Sequence, residues 1–471
     1  MHAKRLIAAL VPAALALSTP LAHAGVALIG IGQISGSDLS GLTGTLENGA
    51  AANILGGLGS GIAWAGGNTF LLTPDRGPNA TAWNSAVDNT TSWIPRVQTM
   101  DLGLTTTTFS TSSIASLSPV LNATTLLSST TALNYGSAPV LGGSGVNYFT
   151  GRSDAFATGL STNPDNARLD LEGIRVAADG KSVYISDEYG PYIYRFDRAT
   201  GERTGVVTLP EKFAAVTPAA TESTEIAANS SGRVTNKGME GLAITPDGKT
   251  LVGVMQSPLA QDGGTAASTV RIVTVDLATG KVTHEYAYQL DNIGTATKPK
   301  YGSISEIVAI NDHEFLIDER DGKGLGDDSK AVQKKIYKVD LSGAQDVSAL
   351  TGETALAAKA VGKTLFVDLV ALLKANGYTD RTIPAKIEGL AFGPDVLVDG
   401  VWQHTLIVVN DNDFLDITQV QGMDTANPNQ FFVLGITGDT LPGFVAQQIP
   451  EPGSLALAAL GLTGFMLRRR R

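Results

Sequence analysis

Apolar and polar residues alternate in short runs along most of the chain, a pattern that predicts β-strands rather than helices. The segment 172–209 contains four such runs, separated by turn sequences. They lie at 172–177, 182–188, 192–197 and 204–209. The first turn is Ala-Asp-Gly-Lys, and Asp-Gly between alternating runs is a strong hairpin signal. This segment therefore predicts a four-stranded antiparallel sheet.

The same frame recurs along the chain. Each copy opens with an acidic residue, runs through an apolar strand and a turn, and continues into a second strand that ends in acidic or amide residues. The opening residues are Glu172, Glu240, Glu306 and Glu388. A weaker copy has Ser60 at the opening position and leads to Asp75. Repetition of this kind indicates one supersecondary unit copied several times.

We therefore predict an all-β fold, a β-propeller of about six blades of four-stranded antiparallel sheets, over residues 25–447. The blade count follows from dividing this length by a repeat of about 70 residues. Strands predicted at 26–35 and 430–436 would pair and close the ring. The Thr- and Ser-rich stretch 105–133 is expected to form irregular outer strands or an insertion, and 366–375 an amphipathic helix.

Both ends of the chain carry processing signals. Lys4 and Arg5 precede an apolar run at 6–17, and Ala22-His23-Ala24 is a small-x-small cleavage site, so residues 1–24 are expected to be a signal peptide. At the other end, Pro450-Glu451-Pro452 is followed by an apolar stretch and four arginines.

This C-terminal order resembles the PEP-CTERM sorting tail, and we assign residues 448–471 to it. The resemblance implies an exosortase-type processing enzyme as a partner. It also implies transient anchoring in the inner membrane through the C-terminal helix. The expected location is the cell envelope, the outer surface or the extracellular space.

Composition narrows the chemistry. The chain has no cysteine, which excludes disulfides, thiol nucleophiles and thiolate metal sites. With 45 acidic against 34 basic residues, the net charge of −11 argues against nucleic acid as a partner. It suits cation binding, or simply solubility. The sequence contains no Gly-x-Ser-x-Gly elbow, P-loop or His-Glu-x-x-His motif.

Carboxylates are the remaining candidates. In a propeller the first strand of each blade lines the central channel, so the opening glutamates would converge there. Like charges in one site need compensation, which a divalent cation, most simply Ca²⁺, or nearby basic residues would supply. The candidate catalytic residues are Glu172, Glu240, Glu306, Glu388, Arg320 and Lys237. The candidate metal ligands are Glu172, Asp187, Glu188, Glu240, Glu306, Asp318, Glu319, Glu388 and Asp411. Alternatively, Glu-Gly at a strand start bonds backbone amides of the neighbouring blade and locks the ring.

At these residues the chain resembles the phytase-like family described as having esterase-like activity. The matching stretches are 169–174 with 186–190, 239–243, 304–308 with 318–321, and 387–391. Asp75-Arg76-Gly77 also fits. The resemblance covers most of the body and implies a propeller and an extracytoplasmic hydrolase.

The sequence thus favours a secreted, surface-processed hydrolase that acts on a phosphate or other small anionic ester, with a divalent cation held by carboxylates at the propeller axis. Two alternatives stay open. One is a non-catalytic propeller that binds an extracellular polymer as a matrix protein. The other is a lactonase-type propeller enzyme, because one ion held by Glu and Asn or Asp from different blades suits ring opening.

Overall fold

The structure is a computed structural model that describes residues 25–80, 89–156 and 160–450. This part of the chain contains five sheets with four or more strands, all antiparallel except where the short strand Ala115–Ser116 pairs in parallel. Sheet 1 consists of Gly61–Trp64, Thr69–Thr73, Arg96–Asp101 and Val120–Leu126. Sheet 2 consists of Leu171–Val176, Ser182–Asp187, Tyr192–Asp197 and Arg203–Thr208. Sheet 3 consists of Met239–Ile244, Thr250–Met255, Thr269–Asp276 and Lys281–Gln289. Sheet 4 consists of Ser303–Ala309, Glu314–Arg320, Lys334–Asp340 and Lys363–Asp368.

Sheet 5 joins the two ends of the described chain. From its first strand outward it contains Lys386–Phe392, Val401–Asp411, Asn429–Ile436, Val26–Ile34 and the short Ala115–Ser116, while Val396–Val398 pairs with its second strand. Val26 pairs with Ile436 and Ile34 with Asn429 in an antiparallel register. The prediction that the N-terminal strand meets the last strand is confirmed.

The first strands of the five sheets stand side by side around a central axis. Each contacts the first strands of the two neighbouring sheets, and sheet 5 contacts sheet 1, so the cycle is closed. A separate buried apolar cluster fills each of the five interfaces between neighbouring sheets. Successive residues of a strand serve opposite interfaces: Ile62 packs toward sheet 5 and Ala63 toward sheet 2.

A glycine follows three of the four opening glutamates, Glu172, Glu240 and Glu388, and the close approach of the first strands explains it. A Cβ atom on Gly173 would lie 2.5 Å from the Leu242 nitrogen of sheet 3. A Cβ atom on Gly241 would lie 2.8 Å from the Ile307 nitrogen of sheet 4. The repeated Glu-Gly pair is therefore a packing requirement as well as a possible site.

Arg175 lies buried beside the axis and connects several sheets. It donates hydrogen bonds to the carbonyl oxygens of Ile62, Ile174, Ile307 and Leu390, which belong to the first strands of sheets 1, 2, 4 and 5. Its Nη2 also lies 3.1 Å from Glu306 Oε1. That oxygen in turn accepts from the Leu242 nitrogen of sheet 3 at 2.9 Å. The Arg175–Glu306 pair thus reaches all five first strands.

The described chain confirms an all-β, propeller-like fold with four-stranded antiparallel sheets, but not the count of about six. Long connections between the sheets explain why five sheets are described where about six were predicted. Dividing the chain length by the repeat length counts these connections as if they were blades. The segment between sheets 1 and 2 contains, among its described residues, the small sheet Ser128–Ser129, Gly142–Gly143 and Val146–Tyr148, but no four-stranded sheet. Two-stranded pairs are Gly36–Ser37 with Ile54–Leu55, and Ile417–Val420 with Met423–Ala426.

Helices among the described residues are short. The α-helices are Glu222–Ala228, Glu353–Ala357 and Leu369–Ala375. The 3₁₀ helices are Leu104–Thr106, Leu160–Thr162, Glu211–Phe213, Ala260–Asp262 and Gly264–Ala266. The helix predicted at 366–375 begins later, because 366–368 complete the last strand of sheet 4 and Asp368 caps the helix by accepting from the Ala371 nitrogen.

The C-terminal segment crosses the end of the ring where the first strands finish. Val445 donates its backbone nitrogen to the Ile310 oxygen at 2.8 Å, and Gln447 donates its side-chain amide to the Val176 oxygen at 2.8 Å. The described segment 445–450 therefore lies at the face opposite the strand starts. In the described ranges no helix has the length and apolar character to cross a bilayer. The predicted signal peptide and C-terminal membrane helix lie outside those ranges.

Candidate functional site

Seven carboxylates form a continuous arc at the end of the ring where the first strands begin. We call this set the carboxylate arc: Asp411, Asp413, Asp75, Asp170, Glu172, Glu188 and Glu240. It consists of three overlapping groups, and within each group one oxygen per residue lies within 4.8 Å of the others. The members come from starts of first strands and ends of second strands, as the repeated frame predicts.

The inner end of the arc is a trio of glutamates, Glu172, Glu188 and Glu240, all buried. Their exposed fractions are 6%, 2% and 2%, and no Lys or Arg of the described ranges lies within ion-pair distance of them. Glu188 accepts from the Gly238 nitrogen at 3.0 Å, whereas Oε2 of Glu240 has no hydrogen-bond partner. Burial and the charge of Glu240 raise the pKa of Glu172 well above its ordinary value. Burial and the charge of Glu188 raise the pKa of Glu240 in the same way.

The middle group of the arc joins Glu172 to Asp75 and Asp170. Arg76 partly compensates it: its Nη1 lies 3.3 Å from Asp170 Oδ2, and its backbone nitrogen donates to Asp170 Oδ1 at 3.1 Å. Burial and the charge of Asp75 nevertheless raise the pKa of Asp170 well above its ordinary value.

The outer group consists of Asp411, Asp413 and Asp75. Lys386 pairs with both Asp411 and Asp413, and its Nζ lies 3.2 Å from Asp411 Oδ2. Burial raises the pKa of Asp411 to about 8 despite this partner. This end of the arc is therefore better compensated by protein cations than the trio is.

Glu388, Arg320 and Asp318 lie beside the arc without belonging to it. Arg320 is ion-paired with Glu388 and donates its Nε to Ser305 Oγ at 2.7 Å. Asp318 is fully buried, and neither of its carboxylate oxygens has a hydrogen-bond partner. Burial raises the pKa of Asp318 well above its ordinary value, although Arg320 and Lys334 oppose the shift.

Three predicted ligands have their carboxylates bound elsewhere. Asp187 accepts from the backbone nitrogens of Asp170, Tyr189 and Gly190. Glu306 accepts from two backbone nitrogens and pairs with Arg175, which is the ring-locking arrangement left open by the sequence. Glu319 binds Lys363 of its own sheet 4 and the Tyr288 hydroxyl of sheet 3. Burial raises the pKa of Asp187 and of Glu306 to about 7.

Lys237 and Ser60 complete the set named from the sequence. Lys237 donates its Nζ to Gln256 Oε1 at 3.1 Å and lies three residues before Glu240. Ser60, which replaces the opening glutamate in sheet 1, is buried and its hydroxyl has no partner. Sheet 1 contributes Asp75 to the arc instead.

Three arc residues, Asp75, Asp170 and Asp413, are not among the metal ligands predicted from the sequence, and Asp170 is the one that alternation could have found. It precedes Glu172 by two positions, and residues two apart on an extended strand point to the same side. Alternation would therefore have placed the two carboxylates together. Asp75 follows the second strand of the weaker copy, and Asp413 lies two residues after the predicted ligand Asp411.

The region that matches a known protein family includes all residues of the carboxylate arc. The profile of the family described as "Esterase-like activity of phytase" matches residues 53–414, and the PEP-CTERM protein-sorting motif matches residues 448–471. An uncharacterized secreted protein of Arthroderma benhamiae is 35% identical over 177 residues, covering 32% of this chain. The match spans only 34% of that relative's length.

Two solved structures are similar at low identity. The periplasmic gluconolactonase PpgL of Pseudomonas aeruginosa has a TM-score of 0.34 at 11% identity, over 88% of this chain and 99% of that one. The PQQ-bound aldose sugar dehydrogenase of Streptomyces coelicolor has a TM-score of 0.31 at 11% identity, over 85% and 84% of the two chains. Because the family match covers well over half of the sequence, the chain belongs to the family described by the esterase-like activity of phytase.

Proposed function

We propose that this protein is an exported hydrolase of a phosphate or other small anionic ester, and that the carboxylate arc holds a divalent cation, most simply Ca²⁺. The observation that carries the proposal is the glutamate trio: three buried carboxylates, from sheets 2 and 3, with no ion-paired Lys or Arg among the described residues. Burying uncompensated carboxylates together is costly unless a cation or protons neutralise them.

The donor set fits a hard cation. The ligands available are carboxylate oxygens, which calcium prefers, and no thiolate exists in the chain. Glu172, Glu188 and Glu240 would hold the ion, with Asp75 and Asp170 beside them. A bound divalent ion supplies Lewis-acid polarisation of the ester oxygen and lowers the pKa of a bound water.

The chain's own residues have separate tasks in this proposal. Glu188 is oriented by the Gly238 nitrogen, and Glu240 keeps one oxygen without a protein partner, which leaves it available to a ligand. Arg320 is tied to Glu388 and Ser305 and adds positive charge beside the arc. Lys237 lies at the edge of the trio, where its ammonium group can approach an anionic substrate.

Export supports the same proposal. The C-terminal sorting motif favours delivery to the cell envelope or beyond, and the Arthroderma benhamiae relative is described as secreted. The described segment that precedes the tail lies at the face opposite the arc, so processing or anchoring beyond it would leave the arc accessible. Cleavage by an exosortase-type enzyme and transient anchoring in the inner membrane belong to this proposal.

The test is hydrolysis of a panel of phosphate monoesters, carboxylic esters and lactones, with and without chelator. We expect turnover that chelator abolishes and added Ca²⁺ restores. The double variant Glu172→Gln, Glu240→Gln should lose it. The variant Glu314→Gln alters a glutamate at the other end of sheet 4, ion-paired to Lys338, and should retain it.

Chelator-insensitive turnover, or full activity in the double variant, would contradict the proposal. Cation-dependent melting without turnover of any ester would favour a binding or matrix protein. Turnover confined to lactones would favour the lactonase-type alternative.

A further inference from the structure

A pocket rich in arginine opens next to the carboxylate arc. Its cavity volume is about 90 Å³, which is more than a single water molecule needs. Its walls include Arg76, Arg168 and Arg233, with Tyr189 and Thr90 between them. The candidate residues named from the sequence include none of these arginines.

Arg168 is the least compensated of the three. It is 1% exposed, and among the described residues neither its Nε nor its Nη1 has a hydrogen-bond partner. Its Nη2 reaches only the Tyr189 carbonyl oxygen, at 3.4 Å. The guanidinium carbon lies 5.7 Å from the Phe156 ring centre and 5.3 Å from the Tyr189 ring centre. The side chain is therefore held by two aromatic rings while two donor nitrogens remain free.

The other two arginines each have one carboxylate partner. Arg233 pairs with Glu225 at 2.9 Å and donates its Nε to the Tyr189 carbonyl oxygen at 3.1 Å. Arg76 pairs with Asp170 and also donates to Asn236, while its Nε has no partner. Across the pocket, unpartnered donor nitrogens therefore belong to two arginines.

The charge balance of the walls is positive. The lining contains three guanidinium groups against two carboxylates, those of Glu225 and of Glu222, which lies exposed in the helix Glu222–Ala228. An arginine stays protonated in a protein, so Arg168 cannot relieve its burial by losing a proton. Burial lowers the pKa of Arg168, and the charge of Arg233 lowers it further. A buried cation of this kind is costly without an anion.

We propose that Arg76, Arg168 and Arg233 form an oxyanion-binding pocket that takes a phosphate or carboxylate group. Planar guanidinium groups present paired donors that match the oxygens of these anions. The free Nε and Nη1 of Arg168 lie on different edges of its guanidinium group and provide two separate donors, and the free Nε of Arg76 provides a third.

The pocket and the arc are connected through one ion pair. Arg76 lines the pocket, and its Nη1 lies 3.3 Å from Asp170 of the arc. An anionic group held in the pocket would therefore place the rest of the same molecule beside the cation-binding carboxylates. The pocket stands on its own geometry, whereas its role as the binding site for the anionic part of the substrate rests on the proposed function.

The experiment is calorimetric titration of the full chain with inorganic phosphate in the presence of chelator. We expect saturable binding that Arg168→Gln weakens at least about tenfold, which corresponds to about 1.4 kcal/mol. The control Arg195→Gln removes an arginine of sheet 2 that pairs with Asp179 at the surface and should leave binding unchanged. If Arg168→Gln does not fold, Arg168→Lys keeps the charge without the planar fork, and binding several-fold weaker than wild type is expected.

Parallel titrations with sulfate and malonate show whether the pocket prefers tetrahedral anions such as phosphate or also binds carboxylates. Binding of phosphate and malonate supports a general oxyanion pocket, and binding of phosphate alone supports a phosphoryl pocket. No phosphate binding by the wild type, or equal binding by Arg168→Gln and Arg195→Gln, would overturn the proposal. Calcium titration without phosphate reports on the carboxylate arc separately, so loss of one proposal leaves the other measurable.

Discussion

Replacing Arg175 by methionine tests the ring-closing role of this side chain. The residue is 5% exposed, and its guanidinium group serves four carbonyl oxygens and Glu306. Methionine retains much of the apolar stem and removes every donor. Glu306 is then left as a buried carboxylate without its cation.

The expected loss can be worked from these contacts. Removing one partner of a buried ion pair costs about 3–5 kcal/mol, because the remaining charge is uncompensated. The carbonyl oxygens of Ile62, Ile307 and Leu390 would also lose their Arg175 donor, and a buried acceptor without a partner costs about 1–3 kcal/mol. Water entry and relaxation reduce this second cost. We therefore expect Arg175→Met to lower the free energy of unfolding by roughly 3–5 kcal/mol.

The assay is urea unfolding followed by both tryptophan fluorescence and circular dichroism, which checks that one transition is observed. The double variant Arg175→Met, Glu306→Gln should lose less than the sum of the two single variants, because it removes the stranded charge. The control Arg195→Gln breaks an exposed pair and should cost no more than about 1 kcal/mol. If Arg175→Met lowers the free energy of unfolding by less than about 1 kcal/mol, or if the double variant is strictly additive, the Arg175–Glu306 pair does not hold the first strands together.

Two further predictions concern packing and pH. Gly173→Ala should destabilise the protein by about 1–3 kcal/mol in urea unfolding, because the added Cβ would lie 2.5 Å from the Leu242 nitrogen. Gly205→Ala in the outer strand of the same sheet, where the nearest atom is 3.6 Å away, is the control, and an equal effect in both would count against close first-strand packing. In the presence of chelator, the midpoint temperature of thermal unfolding should decrease as the pH is raised from about 5 to about 8. The reason is that burial raises the pKa of Glu306 to about 7 and of Asp411 to about 8, so the stability of their protonated forms is lost as the pH rises through these values. Saturating Ca²⁺ should reduce this pH dependence of the midpoint temperature. A midpoint temperature that rises between about pH 5 and about pH 8 would contradict the prediction.

The architecture could be predicted from the sequence because each copy of the repeated frame specifies the strands and turns of its own sheet. Alternating strands and Asp-Gly turns predict the sheets, and positive φ angles of 65° at Gly180 and 70° at Gly248 are the conformations that such turns require. The number of sheets was not predictable in this way. Sequence length does not distinguish a blade from the long connections between sheets.

The site could be predicted only in part, because equivalent positions in the frame meet different neighbours. Glu172 and Glu240 open their strands toward other carboxylates, whereas Glu306, in the same position, meets Arg175 and backbone amides. Glu188 joins the arc, while the adjacent Asp187 turns to three backbone nitrogens. These partners come from other sheets and from turns, so the repeat alone does not specify them.

Titration of the chelator-treated protein with Ca²⁺ shows whether the carboxylate arc binds a divalent cation. Binding by the wild type should be saturable and should stabilise the folded state by about 2.7 kcal/mol when free Ca²⁺ is about 100 times the dissociation constant. Glu240→Gln should weaken binding at least about tenfold, a change of about 1.4 kcal/mol, while Glu314→Gln should leave it unchanged. Absence of saturable binding by the wild type, or equal affinity in Glu240→Gln, would contradict a cation site in the carboxylate arc.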